Sequence, residues 1–113
     1  MHELSLAEGI RDIVEETATM EAATRVRRIV LEIGALAAVD ADALRFCLDE
    51  VLSDSIAEGA EVDVIDVPGR GRCRQCGTLA PIDERHTPCP SCGAYGLEVL
   101  EGDRMRVQAV ELE

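Results

Sequence analysis

The 113-residue sequence predicts an α+β fold: two helices on a three-stranded sheet, with an inserted four-cysteine zinc-ribbon module. Three observations predict it. Two segments carry apolar residues at helical spacing, and three regions alternate with a period of two. Between the last two strand regions lie two Cys-x-x-Cys-Gly knuckles. The expected boundaries are an α/β domain of residues 1–69 plus 96–113 and a metal domain of residues 70–95.

Each element has its own signal. Ser5-Leu-Ala-Glu8 reads as a capping box, with Ser5 as N-cap and Glu8 reaching back to it. Leu6, Ile10, Ile13 and Val14 follow at helical spacing, which predicts a helix from about Leu6 to Ala22. Residues 25–33 read as a strand: Ile29, Leu31 and Ile33 point one way, Arg28 and Glu32 the other. Asp40 is a suitable N-cap for the second helix, whose stripe is Leu44, Cys47, Leu48, Val51, Leu52 and Ile56, closed by Gly59. Residues 61–67 form a strand stopped by Pro68-Gly69. A final strand region, Leu97 to Leu112, breaks near Gly102-Asp103. Met105 and Val107 share a side, while Val110 and Leu112 depart from that alternation. A bulge near Ala109-Val110 reconciles them. The strands flanking the insertion are expected to pair, leaving the metal module at the tip of a long hairpin.

Composition narrows the function. The net charge of −12 opposes nucleic-acid binding, which needs a basic footprint. Phe46 and Tyr95 are the only aromatics, so base-stacking platforms are absent and both are expected to be packing residues. No segment approaches the roughly 20 apolar residues of a membrane span, and no signal-peptide pattern is visible. Paired cysteines at metal spacing suit a reducing cytoplasm better than a disulfide framework.

The knuckles are Cys73-Arg-Gln-Cys76-Gly77 and Cys89-Pro-Ser-Cys92-Gly93. Four thiolates fill a tetrahedron, which predicts structural rather than catalytic zinc. The glycine after each second cysteine allows a positive φ that turns backbone N–H groups toward sulfur. A redox Cys-x-x-Cys heads a helix in a βαβ context, which two symmetric knuckles do not resemble. His86, three residues before Cys89, reads as a solvated loop histidine, or as a residue that displaces a thiolate or hydrogen-bonds one. Cys47, on the stripe of the second helix, reads as a buried, inert thiol.

His2 has two readings. A histidine at position 2 is ordinarily a frayed surface residue. Against that, the bulk of His2 discourages removal of Met1, so an α-amine stands beside the imidazole. The neighbouring amide nitrogens can join them, and nickel(II) and copper(II) favour such nitrogen-rich sites. Glu3 offers a carboxylate as an outer ligand or acceptor.

Met1-His2-Glu3-Leu4-Ser5-Leu6, the two knuckles, and Gly102 leading into a terminal Glu-Leu-Glu strand together resemble the HypA/HybF hydrogenase-maturation nickel metallochaperones. The resemblance covers essentially the whole chain. It implies nickel bound by His2 with the Met1 amine and backbone nitrogens, supported by Glu3, and structural zinc on Cys73, Cys76, Cys89 and Cys92. It also implies a nickel-handling, HypB-like GTPase partner and delivery to the large subunit of nickel-iron hydrogenase, or to urease. Arg104 and Arg106 depart from the pattern, where an apolar or acidic run is expected.

The leading expectation is therefore a cytoplasmic nickel carrier, monomeric or weakly dimeric, and not an enzyme. No G-x-x-x-x-G-K-[ST] loop or nucleophile–His–acid set is present. The alternative is a zinc-ribbon interaction or nucleic-acid-binding module, favoured by Arg70, Arg72 and Arg74 and opposed by the overall charge. A redox switch on the cysteine pairs is a third reading.

Overall fold

The computed structural model describes residues 2–113. Its elements run α1 (His2–Met20), β1 (Val26–Gly34), α2 (Ala41–Val51), β2 (Glu61–Val67), β3 (Arg70–Cys73), β4 (Leu79–Pro81), β5 (Leu97–Glu101) and β6 (Met105–Leu112). These form two helices and two three-stranded sheets, ordered β2-β1-β6 and β4-β3-β5. The chain divides into two compact units. One comprises Met1–Glu32, Val39–Ile65 and Arg106–Glu113; the other comprises Ile33–Ala38 and Asp66–Met105. The 70–95 segment lies wholly inside the second unit, which is larger than the metal domain expected from sequence.

In the first unit the core is aliphatic. Ala7, Ile10, Val14 and Ala18 are the buried stripe of α1; Leu44 and Leu48 are that of α2; Val26, Ile29 and Leu31 come from β1. The two helices pack on each other. Arg11 of α1 donates to the carbonyl of Val51 at 2.7 Å, satisfying an orphan acceptor at the end of α2.

The predicted cap of the first helix is not realised. α1 already runs from His2, so Ser5 is an exposed residue inside the helix, not its N-cap. Asp40 behaves as expected: its Oδ1 accepts from the N–H groups of Asp42 and Ala43 at 3.0 and 3.1 Å. The second helix stops at Val51, earlier than the stripe suggested. Ser55 Oγ donates to the Leu52 carbonyl and accepts from the Ala57 N–H, and Asp54 sits at φ 61°. These local bonds offer the backbone an alternative to another helical turn. Leu52 and Ala57 are buried nonetheless.

The expected hairpin is realised in a shorter form. β2 and β6 lie on opposite sides of β1 and do not pair, but β3 and β5, which flank the knuckles directly, pair antiparallel. Arg28, on the central strand, spans all three: it reaches Glu61 and Asp63 on β2 at 3.5 and 3.2 Å and Glu111 on β6 at 2.9 Å. Along β6 the burial phase slips at Ala109–Val110, where the alternation of Met105 and Val107 gives way to that of Val110 and Leu112.

In the second unit β3 is central and pairs antiparallel with both neighbours. Arg72 faces Leu79 on β4 and Glu98 on β5, and Cys73 faces Leu97. Its buried apolar side chains are few: Ile33, Leu36, Ala80 and Ile82, besides the sulfurs of Cys73 and Cys89. Phe46 and Tyr95 are not packing residues: they are 69% and 73% exposed.

Candidate metal centre

The two knuckles are built alike. Cys73 N–H donates to the Thr78 carbonyl at 2.9 Å, and Cys89 N–H donates to that of Ala94 at 2.8 Å. Gly77 and Gly93 N–H groups return to the carbonyls of Cys73 and Cys89 at 2.9 and 2.8 Å. Both glycines sit near φ +77°, a left-handed conformation that suits a residue without Cβ. Each turn also aims amide N–H groups at its first sulfur: those of Gln75 and Cys76 at Cys73 Sγ (3.4 and 3.5 Å), and that of Ser91 at Cys89 Sγ (3.4 Å).

The four sulfurs lie within 4.8 Å of one another. Cys73 Sγ is 3.6 Å from Cys92 Sγ, and Cys76 Sγ is 3.7 Å from Cys89 Sγ. A tetrahedron with Zn–S bonds near 2.3 Å has edges of about 3.8 Å, whereas a disulfide needs about 2.05 Å. The cluster therefore has the dimensions of a four-thiolate metal site. Cys73 and Cys89 are buried; Cys76 and Cys92 face solvent.

Hydrogen bonds within the turns perturb three of the thiols. The side-chain and backbone hydrogen bonds with Thr78 lower the Cys76 thiol to about 6. The Cys76 N–H lowers that of Cys73, joined by the Gln75 N–H. The Ala94 N–H also lowers Cys92. Its hydrogen bond to Cys73, burial and the other sulfurs outweigh this and push it up to about 12. The last proton thus leaves only with difficulty while the sulfurs have just each other. A divalent cation held by these four sulfurs would supply the missing charge and favour the thiolates. Thr78 was not singled out from sequence, because a lone threonine two residues beyond a cysteine carries no signal until the turn brings it to the sulfur.

At the other end of the chain, the Met1 amine lies outside the described residues. His2 is exposed, and its Nδ1 is 3.4 Å from Glu3 Oε2. The same oxygen accepts the Asp40 N–H at 3.2 Å. That bond, then one from the N–H of Glu3 itself and the contacts with His2, hold the Glu3 carboxyl below its usual range. Glu3 thereby joins the first turn of α1 to the cap of α2. Asp40 was legible as a cap, but its contact with Glu3, 37 residues distant, was not. His86 stands apart from the four-sulfur cluster, exposed and at φ 65°.

Fold and site together define a small α+β protein with a knuckle pair whose four sulfurs have the spacing to hold a metal ion. The family model described as "Hydrogenase/urease nickel incorporation, metallochaperone, hypA" matches residues 1–112. The chain belongs to the HypA family. It is 57% identical over 112 residues to the hydrogenase maturation factor HypA of Azoarcus sp. (strain BH72), covering 99% of this chain and 98% of that one. The corresponding factor of Dechloromonas aromatica (strain RCB) is 46% identical over the full length of both. Among solved structures, that of the Ni metallochaperone HypA from Helicobacter pylori shares the fold, with a TM-score of 0.73 at 21% identity over 97% of this chain and 96% of that one. The named relatives are hydrogenase maturation factors and a Ni metallochaperone. Among the described residues, no helix is long and apolar enough to cross a membrane.

Proposed function

We propose that this protein binds Ni²⁺ at its N-terminus and delivers it, as a non-enzymatic cytoplasmic carrier, during maturation of nickel-iron hydrogenase or urease. The match to the nickel-incorporation family over residues 1–112 carries this reading. In it the Met1 amine, the His2 imidazole and backbone nitrogens of residues 2 and 3 hold the ion, and Glu3 supports them. One feature of α1 favours that ligand set. The amide groups of His2 and Glu3 lie in the first turn of a helix, where N–H groups have no intrahelical partner. They can become ligands without breaking a helical hydrogen bond. The helix dipole there also favours the negative charge of a deprotonated amide. The Glu3 carboxylate, fixed by the Asp40 N–H, lies against the imidazole and restrains a side chain that is otherwise exposed.

Cys73, Cys76, Cys89 and Cys92 would hold structural Zn²⁺; the spacing of their sulfurs fits that ion. Bound there, zinc would staple a unit with little apolar core. Nucleotide hydrolysis belongs to a HypB-like GTPase partner, and the hydrogenase large subunit is the acceptor.

The test is nickel titration of protein with a native, untagged N-terminus, followed by metal analysis. Both His2→Ala and an N-terminal extension should abolish tight nickel binding and leave one zinc per chain. Tight binding that survives the extension, through His86 or the cysteines, would place the site elsewhere.

A further inference from the structure

We propose that the four-cysteine centre is also a peroxide-sensitive modification site, whose oxidation joins the knuckles crosswise as Cys76–Cys89 and Cys73–Cys92. The zinc-release part of this proposal rests on zinc occupancy of the centre; the pairing does not. Two observations carry it. First, the second cysteine of each knuckle is exposed while the first is buried, so Cys76 and Cys92 are the sulfurs a small oxidant meets. Second, the two sulfur–sulfur hydrogen-bond contacts both run between the knuckles. Cys76 has Cys89 at 3.7 Å, and Cys92 has Cys73 at 3.6 Å. Each exposed sulfur therefore has a buried partner in the opposite turn, placed to resolve it. The backbone hydrogen bonds that form each turn leave the sulfurs free to close the remaining distance.

The chemistry balances with a hydroperoxide as the two-electron oxidant. The Cys76 thiolate attacks one oxygen of hydrogen peroxide; the O–O bond breaks, hydroxide leaves, and Cys76 becomes a sulfenic acid. The Cys89 thiolate then attacks the Cys76 sulfur, forming the disulfide and expelling a second hydroxide. Two solvent protons convert both hydroxides to water. Cys92 and Cys73 repeat the sequence with a second peroxide. After the first disulfide only two thiolates remain, too few to close a structural zinc site. The crosswise bonds tie the same two turns that the metal ties, so the module exchanges one staple for another.

The experiment uses full-length protein carrying Cys47→Ala, which removes the half-buried fifth thiol on α2. Zinc analysis before oxidation checks occupancy by itself. Hydrogen peroxide is then added with a zinc indicator present, and the product is digested with trypsin without reduction. Cleavage after Arg74, Arg85 and Arg104 puts Cys76 on peptide 75–85 and both Cys89 and Cys92 on peptide 86–104. The expected result is loss of the zinc and an assembly of three linked peptides, 75–85, 86–104 and the Cys73-Arg74 dipeptide released by cleavage after Arg72, with fragmentation assigning Cys76 to Cys89 and Cys73 to Cys92. A disulfide internal to peptide 86–104, or four free thiols and retained zinc at saturating peroxide, overturns the proposal. Mapping the metal-free protein in the same way tests the pairing whatever the zinc content.

Discussion

Adding one methyl group should have opposite effects at two glycines of this chain. At Gly34 a Cβ would stand 2.2 Å from the Gly102 carbonyl oxygen and 2.3 Å from its carbon. Those are backbone atoms, and they cannot turn aside as a flexible side chain does. Gly102 is itself held at φ 84°, with its oxygen accepting the Leu36 N–H at 2.7 Å, while the Gly34 N–H donates to Arg104 at 3.0 Å. Relieving the clash means parting these segments by roughly 1 Å, which puts both hydrogen bonds at risk. Overpacking costs about 1–3 kcal/mol, and each weakened bond costs a further 0.5–1.5 kcal/mol or so. The reduced freedom of the unfolded chain returns only about 0.4–1 kcal/mol. Gly34→Ala should therefore destabilise by roughly 2–5 kcal/mol. Gly9 is the control. It lies exposed within α1, with nothing within 4 Å of its Cβ position, so Gly9→Ala should stabilise by about 0.5–1 kcal/mol. Urea denaturation at matched zinc content measures both. A Gly34→Ala protein as stable as the wild type would refute the close backbone packing on which the estimate rests.

Ser5→Ala should raise stability by a few tenths of a kcal/mol, since Ser5 is an exposed interior helix position and alanine is the better helix former; a loss of about 1 kcal/mol would instead restore it as a cap. Chelating the zinc under reducing conditions should unfold the unit of Ile33–Ala38 and Asp66–Met105, because structural zinc contributes about 10–16 kcal/mol to such folds. Amide exchange should show those residues losing protection while α1 and α2 keep theirs, and uniform retention would count against a metal staple. Acid should loosen the Glu3 contact in a defined window. Its carboxyl is held below the ordinary 4.5, first by the Asp40 N–H, so the contact is complete above that pH and fades as pH falls through the lower folded value. The Asp40 amide shift reports it by NMR, and a midpoint at or above 4.5 would contradict the bond.

What could be read from the sequence was what depends on near neighbours. The strand at 61–67 and the cap at Asp40 follow from alternation and a short side chain placed beside its own helix. The cysteine cluster follows from spacing, since each knuckle is a closed turn. The failures share one physical cause: they turn on partners distant in sequence. Ser5-x-x-Glu8 satisfies the local rule for a cap, yet α1 starts four residues before the expected Leu6, and in its first turn the Glu3 carboxylate accepts the Asp40 N–H. Hydrophobic character suggested that Phe46 and Tyr95 are buried, but burial is settled by the space the other elements leave. The aliphatic side chains of α1, α2 and β1 fill the first core, and the second consists mainly of Ile33, Leu36, Ile82 and sulfur. The order β2-β1-β6 was equally hidden, because alternation shows which face of a strand is buried and not which strand lies beside it. The candidate nickel end combines both situations. His2 and Glu3 are adjacent and could be named from sequence, but the group that restrains them is a backbone N–H with no side-chain signature. That is why sequence alone could nominate the ligands while leaving their support to be found in the fold.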